Sequence, residues 1–103
     1  MSTLATVDTS TLGASESWFS EVLASVSGAN LRYRVMRDTA RPFHVHEQSP
    51  ECFFVLTGLV HIDTEEGSVC LAAGQFYQVR PGLRHRARVE GEATLLVFDA
   101  LAA

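Results

Sequence analysis

HVHEQSPECFFVLTG, residues 44–58, is the stretch on which the fold turns. In an extended chain alternate side chains share a face, so His44 and His46 project together with Val45 opposite. Gln48, Ser49 and Pro50 form a break suited to a turn. Glu51 then opens the run ECFFVLT, which Gly58 ends. Within that run Glu51, Phe53 and Val55 fall on one face and Cys52, Phe54 and Leu56 on the other. Both faces are apolar, so the segment reads as a strand covered on two sides. In a domain this small, such a strand points to a subunit interface, and a homodimer is expected.

The same period of two extends outward in both directions. Upstream, Leu31, Tyr33 and Val35 alternate with Arg32, Arg34 and Met36, and a turn at Asp38 to Pro42 leads into PFHVHE. Downstream, LVHID closes on TEEG, SVCL on Ala73-Gly74, and FYQV on Arg80-Pro81-Gly82. LRHRARV closes on Glu90-Gly91-Glu92, and TLLVFD is last. Seven or eight short strands at this rhythm predict an all-β sandwich or barrel. In LRHRARV, His85 shares an inward face with Leu83, Ala87 and Val89. Arg84, Arg86 and Arg88 point out, a solvated row with surface acids as partners.

Ahead of residue 30 the pattern differs. Trp18, Phe19, Val22, Leu23 and Val26 recur at helical spacing, Ser15 or Ser17 can cap, and Gly28 follows as a stop, so one short amphipathic helix is expected. Residues 1–14, rich in Ser, Thr, Ala and Gly, read as a flexible arm or a short edge strand. Residues 15–103 then form a single domain, since 103 residues are too few for two cores.

Composition narrows the function classes. Hydrophobic residues make up 47% of the chain and charged ones 19%, enough core material to exclude disorder. The formal net charge of -4 argues against nucleic acid as a partner. All eight basic residues are Arg, so every lysine-based Schiff base or general base is excluded. No apolar stretch approaches the length of a membrane span or signal core, and a cytoplasmic location is expected. Cys52 and Cys70 lie far apart inside apolar segments and read as two reduced, buried thiols rather than a disulfide.

Two imidazoles on one face with a carboxylate carried in by the next turn form a set suited to a metal ion. The spacing is HxH, four residues, Glu, six residues, Gly. It matches the first signature motif of the cupin superfamily, and this chain resembles a small single-domain cupin from about residue 31 to 99. Residues 74–85, GQFYQVRPGLRH, resemble the second motif, with Gly74, Gly82 and His85 in register. Asp38 stands where the first motif often opens with Gly, Arg80 where the second has Pro, and Val89 where an Asn is frequent.

The resemblance implies an antiparallel double-stranded β-helix, or jelly-roll barrel, often dimeric. It implies one divalent metal ion, Fe, Ni, Mn or Zn, held by His44, His46, Glu51 and His85. Three imidazoles and one carboxylate leave a divalent ion with a net charge near +1, and octahedral preference leaves two positions open. A small chelating or anionic organic substrate fits such a centre. Dioxygenase, isomerase and lyase chemistry are all compatible with it; the alternative is a non-catalytic module binding a small sugar or organic acid.

Beyond the ligands, Phe43, Phe53, Val55, Phe76 and Leu83 are expected to line a largely apolar cavity. Arg80, near the barrel mouth, is a candidate to hold a substrate carboxylate, with an exposed turn position as the alternative. Tyr77 or Gln78, whichever faces inward, is a candidate acid, base or hydrogen-bond donor, and Tyr33 a weaker one. His61 is expected to face solvent.

Overall fold

The computed structural model describes residues 6–100. Seven strands lie among the described residues: β1 (Trp18–Val26), β2 (Ala29–Ala40), β3 (Glu51–Thr57), β4 (Val60–Thr64), β5 (Gly67–Leu71), β6 (Phe76–Val79) and β7 (His85–Ala100). All pairings are antiparallel, in the order β1-β2-β7-β3-β6, with β4 beside β7 and β5 beside β4. This is the all-β jelly-roll barrel expected from the alternating pattern.

β7 organises it. Its first four residues, His85 to Arg88, pair with β4, and the stretch from Thr94 to Phe98 runs between β2 and β3. One 16-residue strand thus replaces the two expected from LRHRARV and TLLVFD. Gly91 does not end the strand. It adopts φ 78 at an irregularity in the β2–β7 ladder, and its amide donates to Asp38 Oδ1 at 2.8 Å. Asp38 is itself in the left-handed region, φ 44, at the position where the first cupin motif often has Gly. Asp tolerates that conformation better than most residues, which explains how the chain turns there without glycine.

The core lies on the inner face of the bent sheet. Met36, Phe53, Val55, Ile62, Leu95 and Val97 are each at most 1% exposed. A strand presents its side chains alternately, so Phe53 and Val55 recur at odd positions along β3, and Leu95 and Val97 along β7. Gly58 follows β3 where β7 passes so near that a Cβ would collide with the Glu92 carbonyl oxygen, with φ +79 besides. Any other residue would have to push the backbone apart.

The N-terminal segment corrects an expectation. Trp18–Val26 is not a helix but the edge strand β1, paired from Trp18↔Met36 to Val26↔Ala29. A bulge between Val22 and Ala24 leaves Leu23 as an extra residue, which breaks the period of two and produces spacings that imitate a helix. Trp, Phe and Val are also strong strand formers. Gly28, read as a helix stop, is the second residue of a hairpin turn. Ser27 and Gly28 have φ 50 and 79, the sign pattern of a type I′ connection.

The only helical element among the described residues is one 3-10 turn at Thr9–Thr11, capped by Asp8. Of the expected arm, residues 1–5 lie outside the described residues. Gly13 is tied down, because its carbonyl accepts from the Arg37 guanidinium at 2.6 Å. Cys70 is a second correction. It is exposed, on the outer face of the β4–β5 hairpin opposite His61, while Cys52 is half-buried and both thiols are free. Among the described residues no helix is long and apolar enough to cross a membrane.

Candidate metal centre

HVH is extended but not a regular strand. Its anchor is a bridge between His44 and His85, in which each amide donates to the other's carbonyl at 2.9 Å. The Gly82 amide donates to the His46 carbonyl at 2.8 Å. The second motif's turn thereby clamps the first motif's histidine pair. Glu51, the first residue of β3, is brought beside them by the bend through Gln48 to Pro50.

The four expected ligands converge. One donor atom from each of His44, His46, Glu51 and His85 lies within 4.8 Å of the others. Glu51 Oε1 stands 2.8 Å from His85 Nε2 and 3.5 Å from both His44 Nε2 and His46 Nε2. The His85 and Glu51 side chains are 1% and 5% exposed and that of His44 42%, so the site has a closed floor and an open rim.

The hydrogen bonds at the far ring nitrogens test whether a cation fits. His85 Nδ1 lies 2.9 Å from the Leu83 carbonyl and His44 Nδ1 3.2 Å from the Pro42 carbonyl. A carbonyl only accepts, so each Nδ1 carries the proton and donates. The neutral ring then turns an Nε2 lone pair toward the Glu51 carboxylate. Two acceptors facing at 2.8 Å repel unless something positive lies between them. His46 Nε2 is buried with no hydrogen-bond partner at all. Three imidazole nitrogens and a carboxylate around one point are a donor set for a divalent cation, with His44 and His85 oriented by backbone carbonyls in the manner of protein metal sites.

The electrostatics agree. With no ion bound, a proton between the rings and the carboxylate takes the cation's place: burial pushes the Glu51 pKa up, but hydrogen bonds with His44 and His85 and the charge of Arg34 then outweigh it and hold the carboxyl well below its ordinary range. The hydrogen bond with Glu51 raises His44. A bound divalent ion would act there as a Lewis acid, polarising an oxygen ligand.

Beside the four ligands is a cavity of ≈ 360 Å³ whose walls correct the expectation of an apolar pocket. Phe53 lines it, but so do Arg32, Arg34, Arg41, Trp18 and Asp99. Val55 and Leu83 are buried in the core instead. Phe43 is 37% exposed under the guanidinium groups of Arg84 and Arg86, and Phe76 is 54% exposed. Arg80 is outside the cavity and pairs with Glu66. Tyr77 pairs with Phe53 and packs against the core from the inner side, whereas Gln78 is exposed. Tyr33 is buried on the opposite face of β2 from Arg32 and Arg34, and His61 is half-buried on the outer face of β4.

Sequence reasoning missed the arginines because Leu31, Tyr33 and Val35 looked like the core side of β2. The register shows otherwise: Arg32 and Arg34 lie opposite Val97 and Leu95, two buried residues of β7. One signal was present in the sequence. Asp99 has the same parity as Leu95 and Val97, and an acid on an inward face calls for a cation inside. Arg32 Nε meets Asp99 at 2.8 Å.

The comparisons with known proteins concur on the family. The family described as Cupin domain matches residues 31–101. A cupin-2 domain-containing protein from Shewanella frigidimarina is similar in structure, with TM-score 0.77 and 20% identity over 82% of each chain. TT1209 from Thermus thermophilus gives TM-score 0.73 and 26% identity, covering 81% of this chain and 82% of that one. KdgF from a Halomonas species gives 0.69 and 14%, covering 84% and 89%. No curated protein matches in sequence. With both motifs folded into one four-residue cluster and the family matched over most of its length, this chain belongs to the cupin family.

Proposed function

We propose that this protein is a metal-dependent cupin enzyme acting on a small anionic or chelating organic substrate. Its single divalent ion, Fe, Ni, Mn or Zn, is held by His44, His46, Glu51 and His85. The observation that carries this reading is the convergence of three imidazole nitrogens and one carboxylate, with His44, His46 and Glu51 at the wall of a cavity large enough for a small molecule. A structural site would use a closed set, whereas this one faces open space on its His44 side. Oxygen-dependent cleavage, isomerisation and elimination can each use a metal to stabilise a developing oxyanion, and the site suits each.

Metal analysis of protein purified without added metal, followed by turnover assays on hydroxy acids, diketones and catechols with and without O2, tests the proposal. Substoichiometric metal contradicts it. A redox-inert ion with no turnover of any substrate would replace the enzyme with the binding module.

The fold also supports pairing of two copies. The outer face of the β6-β3-β7 sheet carries the cross-strand pairs Cys52↔Phe98, Phe54↔Leu96 and Phe54↔Phe76, with Phe98 43% exposed. Sedimentation at micromolar concentration should give a dimer; a monomer there contradicts the pairing.

A further inference from the structure

Among the described residues four buried side-chain polar atoms have no hydrogen-bond partner: Ser20 Oγ, Arg34 Nε, His46 Nε2 and Asp99 Oδ1. Three belong to residues lining the one cavity beside the metal centre, and Ser20 is the cross-strand partner of Arg34. Buried polar groups in folded proteins are nearly always paired, so such a concentration marks a place built around something else.

The charges in the cavity point the same way. Of its three arginines, Arg32 is held by Asp99. Arg34 and Arg41 have no acidic partner within ion-pair distance among the described residues. Their guanidinium carbons lie 4.5 and 4.1 Å from the centroid of the same Trp18 ring. Two cations over one indole repel each other, and Arg34 is deep enough that burial pulls its pKa from 12.5 to about 10. The indole offsets part of this cost, and an anion in the cavity that both arginines line would offset more. The lining carries three Arg against Glu51 and Asp99, a net of +1 before any metal is counted.

We propose that Arg34 and Arg41, set against Trp18, form an anion subsite for the far acid group of a small organic diacid whose near end meets the metal. The inference rests on the metal reading only for that near end. It gives the substrate class as a compound with two acidic groups, the second a carboxylate or phosphate. The fork of a guanidinium suits either, since both present paired oxygens.

Calorimetry on metal-loaded protein with acetate, succinate and 2-phosphoglycolate tests this, using wild type, Arg34→Gln, Arg41→Gln and Arg80→Gln. At least one diacid should bind more tightly than acetate. Arg34→Gln and Arg41→Gln should each weaken that binding about ten- to a hundredfold, with metal content unchanged. Arg80→Gln should bind as wild type. Diacid affinity no better than that of acetate, or affinity that survives loss of both cavity arginines, overturns the proposal, as does a dependence on Arg80 alone. Arg41 is half-buried, so its variant keeps the test valid if Arg34→Gln misfolds. Wild type that takes up no metal refutes the metal reading by itself, while the arginine dependence on the same samples still decides the subsite.

Discussion

Two stretches of this chain alternate arginine with other residues, and they face opposite ways. Arg32 and Arg34 of β2 turn inward, against the buried residues of β7 and into the cavity. Arg86 and Arg88 of β7 turn outward, where their Nε atoms meet Asp63 Oδ2 at 2.9 and 3.0 Å, and Ser68 donates to the same carboxylate. The outer row is a satisfied network, and the inner one includes the half-buried Arg34, whose enclosed Nε has no partner. Alternation tells which residues share a face. Only the register with neighbouring strands tells which face is inside.

The comparison predicts opposite signs for stability. The largest effect is expected at Arg34→Met, which keeps apolar bulk while removing a half-buried charge that no acid meets within ion-pair distance among the described residues, its desolvation outweighing the attraction of Glu51 and Asp99. Unfolding free energy should rise by about 1–3 kcal/mol, as when buried ions are replaced by apolar residues. A loss of stability in chemical denaturation would break the contrast and make Arg34 a structural cation. On the outer row, Asp63→Asn should lower stability by about 1 kcal/mol, an effect that shrinks in high salt.

The pH dependence sharpens this second prediction. Hydrogen bonding from Arg88, then from Ser68 and Arg86, outweighs the upward push of burial and holds the Asp63 carboxyl below its ordinary value of 3.8. A lowered carboxyl contributes stability that is present above the unfolded value and is lost as pH falls through the folded one. Wild type should therefore lose stability below about pH 4 more steeply than Asp63→Asn; parallel acid melting curves for the two would remove Asp63 from the account. The smallest effect is expected at Arg80→Gln, where an exposed ion pair with Glu66 is lost, within about 0.5 kcal/mol of wild type in thermal melts.

The same contrast shows what was legible beforehand. The quartet of candidate ligands was, because each member is placed by local chemistry. Parity joins His44 to His46, the Gln48 to Pro50 bend brings Glu51, and Gly82 sets the turn before His85. The barrel was legible from strands of period two cut by Gly and Pro. β1 was not, since the Leu23 bulge disguised a strand as a helix. The cavity walls were not either. Arg32 and Arg34 come inward through a register with β7 that is set some sixty residues away, and Arg41 and Trp18 meet only after β1 has paired with β2. Short-range periodicity carries no information about such long-range pairings.

All of this depends on the cluster being a metal site. The direct measurement is metal per chain by elemental mass spectrometry on wild type and His46→Ala, each purified without added metal and checked for folding by circular dichroism. The account predicts about one divalent ion per wild-type chain and near-zero content in the folded variant. Equal metal in both, or none in wild type, would contradict it.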